Sequence, residues 1–235
     1  MYKTLLVTAL ISCGVIAVTF LVPNFDWIKM TQVDPTKEYE RETISFTTLL
    51  IFTMAFPPLL IWPLINIESE CGLINRNLYL LSFYTSLTAN LATSESIKVI
   101  VEKRRPDYNS RIMYSKTITN NLKRQKVEKE GTKSFPSGHC ATGFSYTILT
   151  PYFLKREGNP TITSVLSFMI LSVVGVILAM TRIADNRHDI VDVSVGIAVG
   201  VLVSLGVLVV LRNKLNLTRE LEKNKQRNVS DQNEL

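Results

Sequence analysis

The chain has 235 residues, enough for one domain of ordinary size, and its 26 basic and 20 acidic residues give a net charge of +6. The apolar residues, 46% of the total, stand in long blocks with the charged residues between them. This pattern excludes a disordered or collagen-like chain, and three scattered cysteines imply no disulfide framework.

Six blocks with few or no charges follow one another along the chain. Each approaches or exceeds the ~18 apolar residues that a helix needs to cross a bilayer. A soluble protein would have to bury all six as core helices, and too little polar sequence remains to cover such a core. We therefore predict an all-α integral membrane bundle in one domain, residues 1–211, with an uncleaved first helix. The predicted spans are residues 4–25, 43–67, 77–101, 137–154, 160–181 and 190–211.

Two polar segments complete this organisation. A loop at residues 102–135 holds ten Lys or Arg and four Asp or Glu, and a polar tail at 212–235 is predicted to be flexible. Such a basic loop can attract lipid headgroups or nucleic acid, but its place between two membrane spans argues against nucleic acid. Within the sixth span, Gly196 and Gly200 either permit a close helix contact or reflect the ordinary use of glycine in membrane helices.

Ionisable residues collect at the ends of the predicted spans. An ionisable group costs a few kcal/mol inside a bilayer, so each is a candidate functional residue. Because successive spans alternate in direction, the ends of spans three and five and the starts of spans four and six share one membrane face. Both histidines of the chain belong to this set. The set consists of Glu95, Lys98, His139, Arg182, His188, Asp189 and Asp192.

These residue types suit phosphoryl transfer. His188 and Asp192 are four residues apart and share a helix face, so the carboxylate can hold one ring nitrogen and leave the other nucleophilic. His139 could protonate the leaving oxygen. No metal or other cofactor is required, because three cations neutralise the developing charge. Phosphate oxygens would be held by Lys98, Arg105, Arg182 and the backbone at Ser137–Gly138.

Three short motifs carry a resemblance to a known family. They are Lys98-x6-Arg105-Pro106, Pro136-Ser137-Gly138-His139 and Arg182-x5-His188-x3-Asp192. Together they resemble the three-part signature of the type 2 phosphatidic acid phosphatase superfamily. Six spans with a basic loop resemble its lipid phosphate phosphatase branch. The one departure is Thr181, where the family usually has Ser, and the hydroxyl is retained.

The resemblance implies a role for each motif residue. It implies that His188 is the nucleophile that forms a phosphohistidine, that Asp192 orients it, and that His139 is the acid. It implies phosphate binding by Lys98, Arg105, Ser137, Gly138 and Arg182. It also implies magnesium-independent hydrolysis of lipid phosphomonoesters or diphosphates, such as phosphatidate, lysophosphatidate, diacylglycerol pyrophosphate and sphingoid phosphates.

Other readings stay open. A polyprenyl or dolichyl diphosphate could be the substrate instead. A vanadate-dependent peroxidase resembles the same signature, but such enzymes look soluble and larger. A non-catalytic lipid-binding scaffold would lose a histidine or an arginine, and none is lost here. Asp185 and Asp189 could pair with Arg182 or Arg187, or be plain solvated acids. The oligomeric state is left open.

The membrane orientation depends on two opposing signals. Lys3 before the first span and Asp26 after it favour a cytoplasmic N-terminus, whereas the charge of the basic loop opposes this under the positive-inside rule. We predict cytoplasmic termini and a site on the lumenal or extracellular face, as the resemblance also implies. The endoplasmic reticulum and the plasma membrane are not distinguished. The glycosylation sequons at Asn216 and Asn228 should then stay unmodified.

Overall fold

The computed structural model describes residue 33, residues 36–61 and residues 70–233. Regular secondary structure in these residues is entirely helical, which confirms the all-α class. The first predicted span, residues 4–25, lies outside the described residues. The helices are α1 (Phe46–Ile61), α2 (Glu70–Val101), α3 (Tyr108–Ser115), α4 (Asn121–Glu130), α5 (Gly138–Phe144), α6 (Tyr146–Arg156), α7 (Thr161–Ala184) and α8 (Ile190–Asn233).

The observed helices follow the predicted spans in order but differ at several boundaries. Helix α2 begins at Glu70, ahead of the predicted start at residue 77. Predicted span four is divided at Ser145 into α5 and α6. The segment predicted to be a flexible tail instead continues helix α8 to Asn233. The sequence from 212 to 233 contains no Pro or Gly and is rich in Leu, Glu, Lys and Arg, which favour a helix.

The basic loop also contains regular structure. Helices α3 and α4 lie within it. Asn120 caps α4, since its side chain accepts a hydrogen bond from the backbone N–H of Lys123 at 3.0 Å. The two arms of the loop are tied together where the backbone N–H of Arg105 donates to the carbonyl of Gly131 at 2.8 Å. The loop is therefore a small folded unit that returns the chain close to the end of α2.

Two helices of the described residues are long and apolar enough to cross a membrane. They are Thr161–Ala184 and Ile190–Asn213, and only 22% and 28% of their most apolar windows are buried. Met169, Ile170 and Val173 of α7 are 56%, 61% and 58% exposed. A core helix of a soluble protein would bury such side chains, so this outward apolar surface is typical of contact with lipid. The predicted total of six spans is not confirmed.

Helix α5, which carries His139, lies at the centre of the fold and packs against α1, α2, α7 and α8. Two glycines of α8 permit this approach. A Cβ added at Gly196 would lie 2.5 Å from the carbonyl oxygen of Ser137, and one at Gly200 would lie 2.6 Å from that of Ala141. The close helix contact predicted as one reading of this glycine pair is therefore confirmed.

The helices have two chemically different ends. The "site end" comprises the end of α2, the basic loop, the start of α5, the end of α7 and the start of α8. The "opposite end" comprises the start of α2, the end of α6 and the part of α8 from residue 207 onward. Between α2 and α6 toward the opposite end lies an aromatic core in which the Tyr79 and Phe153 rings stack with centroids 4.1 Å apart. The hydroxyl of Tyr79 donates to Glu157 at the end of α6.

Candidate active site

The turn between α7 and α8 places His188. Asn186 adopts φ = 56°, a left-handed conformation that asparagine tolerates well. The carbonyl of Arg182 then accepts a hydrogen bond from the backbone N–H of His188 at 3.3 Å. Asp189 caps helix α8, because its Oδ1 accepts from the backbone N–H of Asp192 at 2.9 Å. The turn thus holds the histidine and aspartate of the third motif beside the end of α7.

Segments far apart in sequence meet at this turn. The backbone N–H of Ser137 donates to the carbonyl of Asp192 at 2.9 Å and joins the start of α5 to the start of α8. A Cβ added at Gly138 would lie 3.0 Å from Lys98 Nζ, so the last turn of α2 reaches the same point. The structure therefore brings together all the residues predicted for the site, which are Lys98, Arg105, Ser137, Gly138, His139, Arg182, His188 and Asp192.

His188 is buried and electrically neutral at pH 7. Burial lowers its pKa to about 4, and the charges of Arg105 and Lys98 act in the same direction, while Asp192 opposes them. Its Nδ1 lies 3.6 Å from Oδ2 of Asp192, which is longer than a hydrogen bond. The predicted partner is therefore adjacent to the ring, and the neutral imidazole has a lone pair available for attack.

The Asp192 carboxylate has closer partners than His188. It accepts from Lys103 Nζ at 2.7 Å, from Ser134 Oγ at 2.5 Å and from the backbone N–H of Asp189 at 3.2 Å. The Lys103 side chain is buried and also pairs with Asp189 at 2.6 Å. Sequence reasoning missed Lys103, because it is one of three consecutive cations and no pattern distinguishes the buried one.

Arg182 is fully buried and organises the second histidine. Its Nη1 lies 3.2 Å from Nε2 of His139, and its Nη2 donates to Asp185 at 2.9 Å, so Asp185 is confirmed as its partner. Thr181 Oγ1, the retained hydroxyl, accepts from Nε of Arg182 at 3.2 Å. The carbonyl of Ile44 also lies 3.2 Å from Nε2 of His139. A guanidinium only donates hydrogen bonds and a carbonyl only accepts them. Nε2 can therefore either accept from Arg182 or donate to Ile44, but it cannot do both at once.

Residues 36–45, here called the strap, lie across the site. Thr43 donates to Asp185 twice, from its backbone N–H at 2.9 Å and from Oγ1 at 2.5 Å. The ring of Tyr39 lies 4.5 Å from the guanidinium carbon of Arg111 and 4.7 Å from that of Arg187. Sequence reasoning assigned residues 43–45 to a membrane span, yet α1 begins only at residue 46. No motif indicated the strap, because its contacts are with residues distant in sequence.

The remaining phosphate-binding candidates are held by nearby acids and carbonyls. The predicted Lys98–Glu95 pair is confirmed at 2.6 Å. Arg105 Nε donates to the carbonyl of Glu130 at 2.8 Å, which directs it back toward the loop. Ser137 Oγ is buried and has no hydrogen-bond partner among the described residues. A neutral histidine, a second histidine and fixed cations together provide a nucleophile, a proton carrier and an anion site.

Two comparisons with known proteins bear on this site. The family model of the PAP2 superfamily matches residues 79–216 of the chain. The PA-phosphatase related-family protein of Dictyostelium discoideum is 29% identical over 208 residues, which cover 77% of this chain and 71% of that protein. The segment matched by the family model contains every predicted site residue, from Lys98 to Asp192, whereas the strap precedes it.

Proposed function

The chain belongs to the PAP2 superfamily of phosphatases, and on this premise we propose that it is an integral membrane lipid phosphate phosphatase. Its substrates are lipid phosphomonoesters or diphosphates. The observation that carries the proposal is the meeting of both histidines with three cations beside the ends of two outwardly apolar helices. A lipid whose tail stays in the bilayer would present its headgroup at that depth.

The first half of the reaction transfers the phosphoryl group to the enzyme. Nε2 of neutral His188 attacks phosphorus while the bond from phosphorus to the lipid oxygen breaks, and the leaving oxygen takes a proton from His139. Asp192, on the Nδ1 side of the ring, stabilises the positive charge that develops there. The non-bridging oxygens are held by Lys98, Arg105 and Arg182 without a metal ion.

The second half releases phosphate. A water molecule attacks the phosphohistidine, His139 accepts the proton of that water, and the phosphorus–nitrogen bond breaks. Inorganic phosphate leaves and the imidazole of His188 is free again. The same residue thus acts first as acid and then as base, as the reversal of roles between the two half-reactions requires.

The contact between Arg182 and His139 connects substrate binding with proton transfer. While the guanidinium donates to Nε2 at 3.2 Å, that nitrogen carries no proton. A phosphate drawn to Arg182 takes over its donors, and Nε2 can then hold the proton that the leaving group needs. His139 would therefore become an acid only when the substrate is bound.

The proposed orientation places the site end on the lumenal or extracellular side and both termini in the cytoplasm. Arg156 Nη1 donates to Asn216 at 3.1 Å, so this sequon belongs to the opposite end of the helices. We expect no glycan on Asn216 or Asn228 of protein made in a eukaryotic host. Digestion with an endoglycosidase measures this, and a mass shift abolished by Asn216→Gln or Asn228→Gln would reverse the orientation.

Phosphate release tests the activity. Detergent-solubilised protein in EDTA is given phosphatidate, lysophosphatidate, diacylglycerol pyrophosphate, sphingosine phosphate or a polyprenyl diphosphate. We expect release from at least one lipid, and a loss of about 10³-fold or more in His188→Ala, because a nucleophile has no substitute. Lys155→Ala, an exposed change at the opposite end, is the matched control.

The possible results separate the readings. Turnover that survives His188→Ala contradicts the phosphohistidine assignment, and inhibition by EDTA contradicts the metal-free mechanism. Release from the polyprenyl diphosphate alone supports that narrower substrate class. Release from no lipid by the wild-type protein supports the scaffold reading instead.

A further inference from the structure

A cavity of about 480 Å³ lies between the strap and helix α4 and shares Arg105 with the candidate active site. Two carboxylates, Glu42 and Glu130, belong to its lining, and cations outnumber them. The cationic lining residues are Arg41, Arg105, Arg111, Lys123, Lys126 and Arg187. A concave surface with this excess of positive charge concentrates anions.

Only part of this positive charge is neutralised by the protein. Arg111 pairs with Asp107 at 2.7 Å, and Arg105 Nη2 lies 3.5 Å from Oε2 of Glu130. The ion pairs formed within the described residues include no partner for the three exposed cations of the lining. These three are Arg41, Lys123 and Lys126. Burial, followed by the charge of Arg111, also lowers the pKa of Arg105 to about 10, as expected where cations crowd together.

Arg187 gives an independent indication of a ligand. Its side chain is only 5% exposed, and Nη2 donates to the carbonyl of Glu40, yet Nε has no hydrogen-bond partner among the described residues. The nearest carboxylate oxygens are 3.9 Å from Nε in Glu42 and 3.7 Å from Nη1 in Asp107. A buried donor left without an acceptor is costly, so this one is suited to an acceptor brought by a ligand.

We propose that this cavity is a second anion subsite, which binds a phosphate group of the lipid headgroup other than the one that His188 attacks. This rests on the proposed function. Arg105 contributes to both the cavity and the catalytic site, so two phosphates of one headgroup can occupy them together. Guanidinium forks and mobile ammonium groups suit a doubly charged, oxygen-rich group. The subsite would favour headgroups with two phosphates over phosphatidate.

Substrate selectivity is the first test. We measure kcat/KM for diacylglycerol pyrophosphate and for phosphatidate with Lys123→Glu/Lys126→Glu, two exposed residues of the cavity. The ratio of the two values should fall about tenfold or more, because charge-assisted contacts to the second phosphate are lost. Lys116→Glu/Lys129→Glu is the matched control, with the same charge change at exposed positions of the same loop outside the cavity. Equal falls in both variants would overturn the proposal.

A binding measurement works without turnover. Full-length His188→Ala in detergent is titrated calorimetrically with inorganic pyrophosphate and with inorganic phosphate. We expect pyrophosphate to bind about tenfold more tightly, an advantage lost with Lys123→Glu/Lys126→Glu and kept with Lys116→Glu/Lys129→Glu. Equal affinities for the two anions would overturn the subsite.

The two tests fail separately. If the wild-type protein hydrolyses no lipid but shows the lysine-dependent preference for pyrophosphate, the proposed function is wrong and the anion subsite stands. If an active enzyme shows that preference with no change in substrate ratio, the cavity binds free anions and its assignment to the headgroup is wrong.

Discussion

The two ends of the helices place charge in opposite ways. Among the described residues, the buried Asp, Lys, Arg and His side chains all belong to the site end. They are Lys103, Arg105, Asp107, Arg111, His139, Arg182, Asp185, Arg187, His188 and Asp192. Toward the opposite end the interior is filled by aromatic rings, and the cations Lys155 and Arg212 are exposed. One sequence therefore builds a charged interior and an apolar interior on the same helices.

The aromatic interior of the opposite end contributes to stability, whereas the charged interior of the site end is arranged for binding and catalysis. Removing an ion from water costs several kcal/mol, and a partner recovers that energy only with good geometry. The aromatic core needs no such compensation. Removing one member of an ion pair should therefore destabilise the protein more at the site end than at the opposite end. The fixed charges of the site end are already in place to stabilise a phosphate, so no water has to reorganise around it.

The largest expected effect concerns Arg182. Arg182→Gln should lower the free energy of unfolding by about 3–5 kcal/mol, because Asp185 is left as a buried charge without its cation. Arg156→Gln at the opposite end is the matched control and should cost about 0–1 kcal/mol. Denaturation in detergent measures both. Adding Asp185→Asn to Arg182→Gln should recover part of the loss, and equal losses for Arg182→Gln and Arg156→Gln would remove the contrast between the ends.

The next effect is a pH dependence of stability. The pKa of His188 is about 4 in the folded protein and 6.5 for an ordinary histidine, so between these values the unfolded chain binds more protons. The free energy of unfolding should therefore rise with pH across this range, by about 3 kcal/mol from this residue. The thermal midpoints of wild type and His188→Gln, compared from pH 4 to 7, measure it. Parallel curves would show that His188 does not titrate as described.

The smallest expected effect concerns the strap. Thr43→Val removes the hydroxyl bond to Asp185 and should cost about 1 kcal/mol of stability, with a several-fold loss of kcat/KM through Arg182 and His139. Thr43→Ser keeps the hydroxyl and should restore both values. Thr47→Val, an exposed change near the start of α1, is the control. If Thr43→Val and Thr43→Ser behave alike, the strap does not position Arg182.

Local patterns correctly predicted two of the contacts in and beside the site. The Lys98–Glu95 pair needs only a helix, because residues three apart share a face. Gly196 and Gly200 likewise predicted a close helix contact, since small side chains allow backbones to approach. Other features were beyond such patterns. The break at Ser145 comes two residues after Gly143, but a single glycine inside a helical segment is tolerated and does not by itself predict a break. Helices α3 and α4 lie in a segment that was interpreted from its charge alone as a loop.

The sequence by itself determined the helical class, the candidate site residues and the chemistry that those residues can perform. These follow from apolar block length, from residue spacing and from the reactivity of histidine, aspartate and the cations, which are local properties. Only the tertiary structure decided which lysine supports Asp192, that Thr43 reaches Asp185, and that Arg187 lines a basic cavity. Lys103 and Asp192 are 89 positions apart in the sequence, and Thr43 and Asp185 are 142 positions apart. Burial in the folded protein selects such partners, and no local sequence pattern records it.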